Sequence, residues 1–174
     1  MPDSTLSLAL QEAYASAPTG VRICHTLELR HPAFVSPIRV VRDTVNLSAT
    51  LEATAPANAG EVVDFVAYAF DVVRPEVSPA GVPQCTITID NVAREILAAI
   101  EASLTTTDPI EITYREFLST DLSGPQNDPP ITMVLGNIDA DVFRITATAS
   151  FRNIGNRRFP SLEYDADTFP GLLA

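Results

Sequence analysis

The sequence predicts an α+β fold: a mainly antiparallel β-sheet or small β-barrel, with one packed amphipathic helix over 92–104 and a short N-terminal helix. Three observations predict it. Apolar and polar residues alternate with a period of two in segment after segment; one stretch instead repeats its apolar residues every fourth position; and the breaks between them are rich in Pro, Gly, Asn and Asp. With 174 residues, 46% of them apolar, the chain is large enough to bury a full core, since a domain of this size hides roughly 70% of its unfolded surface. One domain, 1–174, is expected.

The central unit runs from Cys85 to Leu118. Cys85, Ile87 and Ile89 alternate with Thr86, Thr88 and Asp90, the pattern of a half-buried strand. Asp90 or Asn91 then offers a side-chain acceptor for an orphan N–H of a helix first turn. Val92, Ile96, Ile100 and Leu104 recur every four residues with Ala93 and Leu97 alongside, while Arg94, Glu95 and Glu101 take the opposite face. After the breaker Thr105 to Pro109, Ile110, Ile112 and Tyr114 alternate with Glu111, Thr113 and Arg115 as a second strand.

Before this unit, Ser4 or Thr5 is placed to cap a helix reaching about Ala15, with Leu6, Leu10 and Tyr14 on one stripe and Pro18-Thr19-Gly20 ending it. Val21, Ile23, His25, Leu27 and Leu29 alternate with Arg22, Cys24, Thr26, Glu28 and Arg30 in a long strand that turns at His31-Pro32. His25 reads as a hydrogen-bonded core histidine, and His31 as a turn residue. Ile38 to Arg42 and Leu47 to Ala53 have hairpin spacing about Asp43-Thr44. Glu61 to Val73 is apolar on both alternating faces, so it is expected to be covered twice. The second cover is either the same subunit or another one resting on Tyr68 and Phe70. Pro75, Pro79 and Pro83 make 74–83 a loop.

Beyond Leu118, the Ser-, Gly-, Asn-, Asp- and Pro-rich segment Ser119 to Pro130 is longer than a usual connection and is the expected inserted contact. Ile131 to Leu135 and Val142 to Phe151 follow as a hairpin across Gly136-Asn137. Residues 152–174 lack either period. Their arginines, aromatic residues and prolines suit an extended C-terminal arm lying on another surface or wrapping its own domain, with Arg157, Phe159, Tyr164 and Phe169 as anchors.

The formal charge of −11 argues against binding a phosphate backbone, so no nucleic-acid partner is expected. All eleven basic residues are arginine, the cation favoured at protein contacts, although codon usage alone can give the same bias. No apolar run approaches the ~20 residues that span a bilayer, and Met1-Pro2-Asp3 lacks the basic start of a signal peptide. Cys24 and Cys85 are too few for structural zinc and read as two buried reduced thiols. No nucleophile, phosphate-loop or zinc-protease motif is present. The pairs Asp139/Asp141 and Asp165/Asp167 lack the Gly and Glu spacing of a calcium loop and read as solvated turn carboxylates. Neither catalysis nor a cofactor is expected.

The order Thr/Ile strand, Asp90-Asn91-Val92, amphipathic helix, and strand with Tyr114-Arg115 resembles a family of bacteriophage minor tail proteins. It is also similar to the first domain of lambda-like tail-tip hub proteins. Asn156-Arg157-Arg158-Phe159-Pro160, Tyr164 and Phe169-Pro170-Gly171-Leu172 extend the resemblance over nearly the whole chain. The resemblance implies a structural component of a tail tip or baseplate, joining the distal tail tube to fibre or receptor-binding proteins, or else a tail assembly factor absent from the particle. It implies other tail proteins as partners (distal tail, tape measure, central fibre), a homo-oligomer of three or alternatively six copies, and residence in the virion after assembly in the host cytoplasm. Many hub proteins carry a cysteine-rich segment with an iron–sulfur cluster. This chain stops at Ala174 without one, so no cluster is expected.

Overall fold

The computed structural model describes residues 5–73, 84–90, 94–103, 106–141 and 144–151. In chain order they form α1 (Leu8–Ser16), β1 (Ile23–Arg30), β2 (Ile38–Val41), β3 (Leu47–Thr50), β4 (Val62–Ala67), β5 (Phe70–Val73), β6 (Gln84–Asp90), α2 (Arg94–Ser103), β7 (Glu111–Leu118), β8 (Ile131–Ala140) and β9 (Arg144–Ser150). The fold is α+β, as the periodicities predict. The strands form one ladder in the order β3-β4-β2-β1-β7-β8-β9-β6-β5, antiparallel except between β2 and β4.

The chain itself joins β2 to β6. Between β4 and β5, the Tyr68 N–H donates to the Val41 carbonyl of β2, and the Ala69 carbonyl accepts from the Asp90 N–H of β6. The wall therefore closes on itself in a barrel-like ring, with β3 added outside it on β4. Inside lie Leu27, Leu29, Ile87, Ile89, Ile112 and Ile145, and α2 contributes Ile96 and Ile100, one turn apart on its apolar stripe. The cap at Asn91, and Val92, Ala93 and Leu104, lie outside the described residues.

A second core sits on the outer face of β1 and β7, where the β3–β4 hairpin lays Ala49, Val63 and Phe65 over Cys24 and Phe117. Both faces of β1 and β7 are thus covered, and every residue from Ile112 to Leu118 is buried. The polar positions Glu28, Thr113 and Arg115, which alternation leaves on a solvated face, are buried as well. A third cluster packs Leu10 and Ala13 of α1 on Leu118.

Four expectations are corrected. The cap of α1 is Ser7, whose Oγ accepts the Leu10 N–H at 3.1 Å; Leu6 is in extended chain bridged to Asn127, which places Thr5 too early to cap. β2 and β3 do not pair with each other, because β4 lies between them, parallel to one and antiparallel to the other. The apolar run Glu61 to Val73 bends at Tyr68-Ala69 into two strands, and β4 is not covered twice: Val62 and Val66 are 68% and 47% exposed. Finally, Gly136-Asn137 is not a hairpin turn. β8 continues to Ala140, the register shifts between Gly136 and Ile138, and Asn137 takes the left-handed φ of 28° that an Asn bulge residue tolerates.

The 119–130 segment is tied to its own domain. Asn127, 2% exposed, accepts the Glu116 N–H at its side-chain oxygen and donates to the Tyr114 carbonyl, acting as a surrogate strand partner for β7. On its other side, Gln126 and Asp128 bond the backbone of Ser7 and Thr5. Its length serves to fasten the start of α1 to the barrel.

Candidate interaction surface

β2 and β4 pair only at Val40–Val66 and Val41–Ala67. Toward its start, β4 leaves β2 to follow β3, and the strands open a wedge floored by Val40, Val66 and Tyr68. The exposed side of α2 forms one wall. Its residues there, Ala98, Ala99 and Ala102, are too short to fill the gap, whereas Ile96 turns inward. The segment 33–37 forms the other wall with Phe34 and Val35. The result is an open groove of about 670 Å³. Val35 is fully exposed at its rim.

His31 fixes that second wall. It is 7% exposed; Nδ1 accepts the Ala33 N–H at 3.0 Å, which leaves Nε2 to donate to the Asp108 carbonyl at 3.0 Å. One imidazole therefore ties the 33–37 turn to the segment preceding β7. Its role is larger than that of the turn residue expected from His31-Pro32.

Behind the groove, the outer face of β1 and β7 holds a buried ion network. Glu28, fully buried, accepts from Arg39 Nε at 2.8 Å and lies 3.3 Å from Arg30 Nε and 3.6 Å from Arg115 Nη1. Arg115, also fully buried, donates from Nε and Nη2 to the two oxygens of Glu52 at 2.8 and 2.7 Å. Burial works to raise the Glu52 carboxyl, but the hydrogen bonds of Arg115, the bond from its own backbone N–H and the charges of Arg115 and Arg30 together outweigh it and hold the group below its ordinary value. Arg39 further reaches Asn58 Oδ1, so the network clamps the 52–58 loop, and with it the β3–β4 hairpin, against β1.

A second buried carboxylate faces the other way. Glu116 Oε1 accepts from the hydroxyls of Tyr14, at 2.7 Å, and Tyr114. Because the Tyr114 hydroxyl gives its proton to Glu116, its oxygen accepts from His25 Nδ1 at 2.7 Å. His25 is thus hydrogen-bonded, as expected, but it is half-buried at a cavity wall and not a core residue. Tyr14, His25, Arg42 and Phe70 line a cavity of about 260 Å³. The arrangement docks α1 on β7 through a charge-assisted bond.

Cys24 and Cys85 are both free and buried in different cores, and burial pushes both thiols up, away from reactive thiolate. Among the described residues, no group of three or more His, Cys, Asp and Glu could hold a metal ion, and no helix is long and apolar enough to cross a membrane.

Of the residues expected at a subunit contact, Tyr68 lines the groove and is half-buried. Phe70 is corrected: at 5% exposure its ring packs in the subunit's own core, because the bend before it turns β5 inward to β6. Arg157, Phe159, Tyr164 and Phe169 lie outside the described residues. Sequence reasoning missed the alanines of α2 and the buried Glu28–Arg115–Glu52 network. The legible trace of the network was opposite charge on one face of each strand, Glu28 and Arg30 two apart on β1 and Glu111 and Arg115 four apart on β7, which only their pairing turns into contacts.

Residues 9–164 match the model of a family described as a domain of unknown function, DUF1833. No curated protein matches the chain.

Proposed function

We propose that this chain, which belongs to the DUF1833 family, is a hub-like structural component of a bacteriophage tail tip or baseplate, joining the distal tail tube to fibre or receptor-binding proteins. The carrying observation is the open apolar groove between α2 and β4, held rigid by His31 on one wall and by the buried ion network behind it. A preformed apolar groove in a stiff frame suits lasting contact with protein, where a few buried anchors supply most of the energy. The resemblance of the Asp90-Asn91-Val92 unit and of the 156–172 segment to minor tail proteins supplies the setting.

The test is mass spectrometry of purified particles from a phage encoding this chain, alongside particles made without it. The chain is expected in the particle at a small fixed copy number, and its loss is expected to give tails without a complete tip. Its absence from complete particles would instead make it an assembly factor and overturn the structural reading.

A further inference from the structure

The strand register separates the groove from the point where the described chain ends. Phe70, two residues beyond the groove residue Tyr68, pairs with Ile89, and Ile89 pairs with Ile145 at the start of β9. β9 then runs to Ser150, opposite Gln84. Five strand residues carry the chain roughly 17 Å from the groove end before the arm begins. The described chain therefore ends, at Phe151, beyond the end of β9 that lies away from its own groove.

We propose that the 152–174 arm of one copy docks in the α2–β4 groove of a second copy. This rests on the reading of the chain as a self-assembling tail component. Four features select the occupant. The groove is largely apolar, with Phe34, Val35, Val66 and Tyr68 along it, and the arm carries Phe159, Leu162, Tyr164 and Phe169 to fill it. Arg157 and Arg158 directly precede the first anchor and are opposite in sign to Asp64 on the groove, a match local to that anchor, since Glu163, Asp165 and Asp167 balance the three arginines of the arm. The β2–β4 ladder contains only two residue pairs, which leaves strand edge in the wedge for an extended segment to bond. Lastly, residues 152–174 span at most about 80 Å when extended, enough to cross to a neighbour as well as to fold back over the roughly 17 Å to their own groove, and the mixing test below separates the two. A contact between two unlike patches is heterologous, and repetition of it closes into a ring when the rotation per copy allows.

The test uses the whole chain in two kinds of variant, groove and arm. Val66→Glu blocks the groove at a half-exposed position, with Ala98→Arg on the α2 wall as a second blocking variant. Phe159→Ala/Tyr164→Ala/Phe169→Ala empties the arm. Light scattering after size exclusion is expected to show wild-type oligomers, each variant weakened by about 30-fold or more in self-association, and unchanged circular-dichroism melts. Mixing a groove variant with the arm variant leaves one intact groove and one intact arm, and is expected to restore a heterodimer. Wild-type monomer at all concentrations, oligomers that survive both kinds of variant, or a mixture that stays monomeric would each overturn the proposal. Particle mass spectrometry reads the tail assignment separately, so a chain absent from virions yet complementing in this mixture would sink only that assignment.

Discussion

Arg115 holds Glu52 with two parallel hydrogen bonds, Nε to Oε2 at 2.8 Å and Nη2 to Oε1 at 2.7 Å, from a side chain with no solvent exposure. The pair joins β7 in the barrel wall to the loop after β3, and Arg115 also neighbours Glu28. Replacing Arg115 by Met would leave Glu52 short of its cation and Glu28 with one fewer. Breaking a buried pair from one side costs about 3–5 kcal/mol. Urea unfolding of Arg115→Met should show a loss of that order; a loss under about 1 kcal/mol would mean that water or the remaining arginines compensate.

The same pair sets an acid limit. The Glu52 carboxyl is held below its ordinary value of 4.5, so its contribution is complete above that pH and is lost as the pH falls through the lower folded-state value. Asp43 and Asp121 are also lowered, by bonds from Thr44 and Ser123 respectively, so wild-type stability slopes with acid on its own. The informative quantity is the difference in unfolding free energy between wild type and Glu52→Gln. It should be constant from pH 7 down to about 4.5 and shrink below that. A difference that stays level or grows toward pH 3 contradicts the sign.

These two outcomes concern residues whose types were legible and whose places were not. Ile87, Ile89, Ile96, Ile100 and Ile112 declare themselves by period, because one face of a strand or helix meets one core. Glu28 and Arg115 do not: alternation reports that a strand has a polar face, but not that a distant hairpin will cover it. Likewise the valines of Glu61 to Val73 signal burial, yet the bend at Tyr68-Ala69 depends on bonding β2 and β6 at once. The groove is a product of strand divergence and of alanine's small volume on α2, and neither leaves a local motif.

Ile96 tests the packing of α2. At 5% exposure its side chain lies in the main core, and Ile96→Asp would bury a carboxylate without a partner. A loss of at least about 3 kcal/mol is expected, against about 0.5 kcal/mol or less for Ala98→Asp two residues along on the exposed side. Equal melting of both variants would place the helix away from the barrel.

Tyr14 tests how α1 is fastened. Its hydroxyl donates to Glu116, whose side chain is 1% exposed, and a bond to a buried charged group is worth about 1.5–3 kcal/mol. Tyr14→Phe should lose that much while keeping the ring. Hydrogen exchange should then speed up in α1 and at Ser7 and Gln126, which bond each other across the α1 junction, but not in β6 or β9. Uniform acceleration everywhere would show that α1 belongs to the same cooperative unit as the barrel.

The arm gives the last prediction. The buried core residues described here run from Leu10 to Ala149, and the three clusters they form touch strands from β1 to β9 and both helices. If the arm serves a neighbour's groove, removing 152–174 takes away no part of this core. The truncated chain should keep a cooperative melt within a few degrees of wild type, equivalent to less than about 1 kcal/mol, yet fail to self-associate and yield particles without a complete tip. The exposed Val35, Val62 and Val66 should remain as accessible in it as in the groove's free state, so a fluorescent peptide of residues 152–174 should bind the truncated chain and not its Val66→Glu form. A molten or insoluble truncation would mean that Phe159, Tyr164 and Phe169 complete their own subunit's core, and the docking of the arm on a second copy would have to be given up.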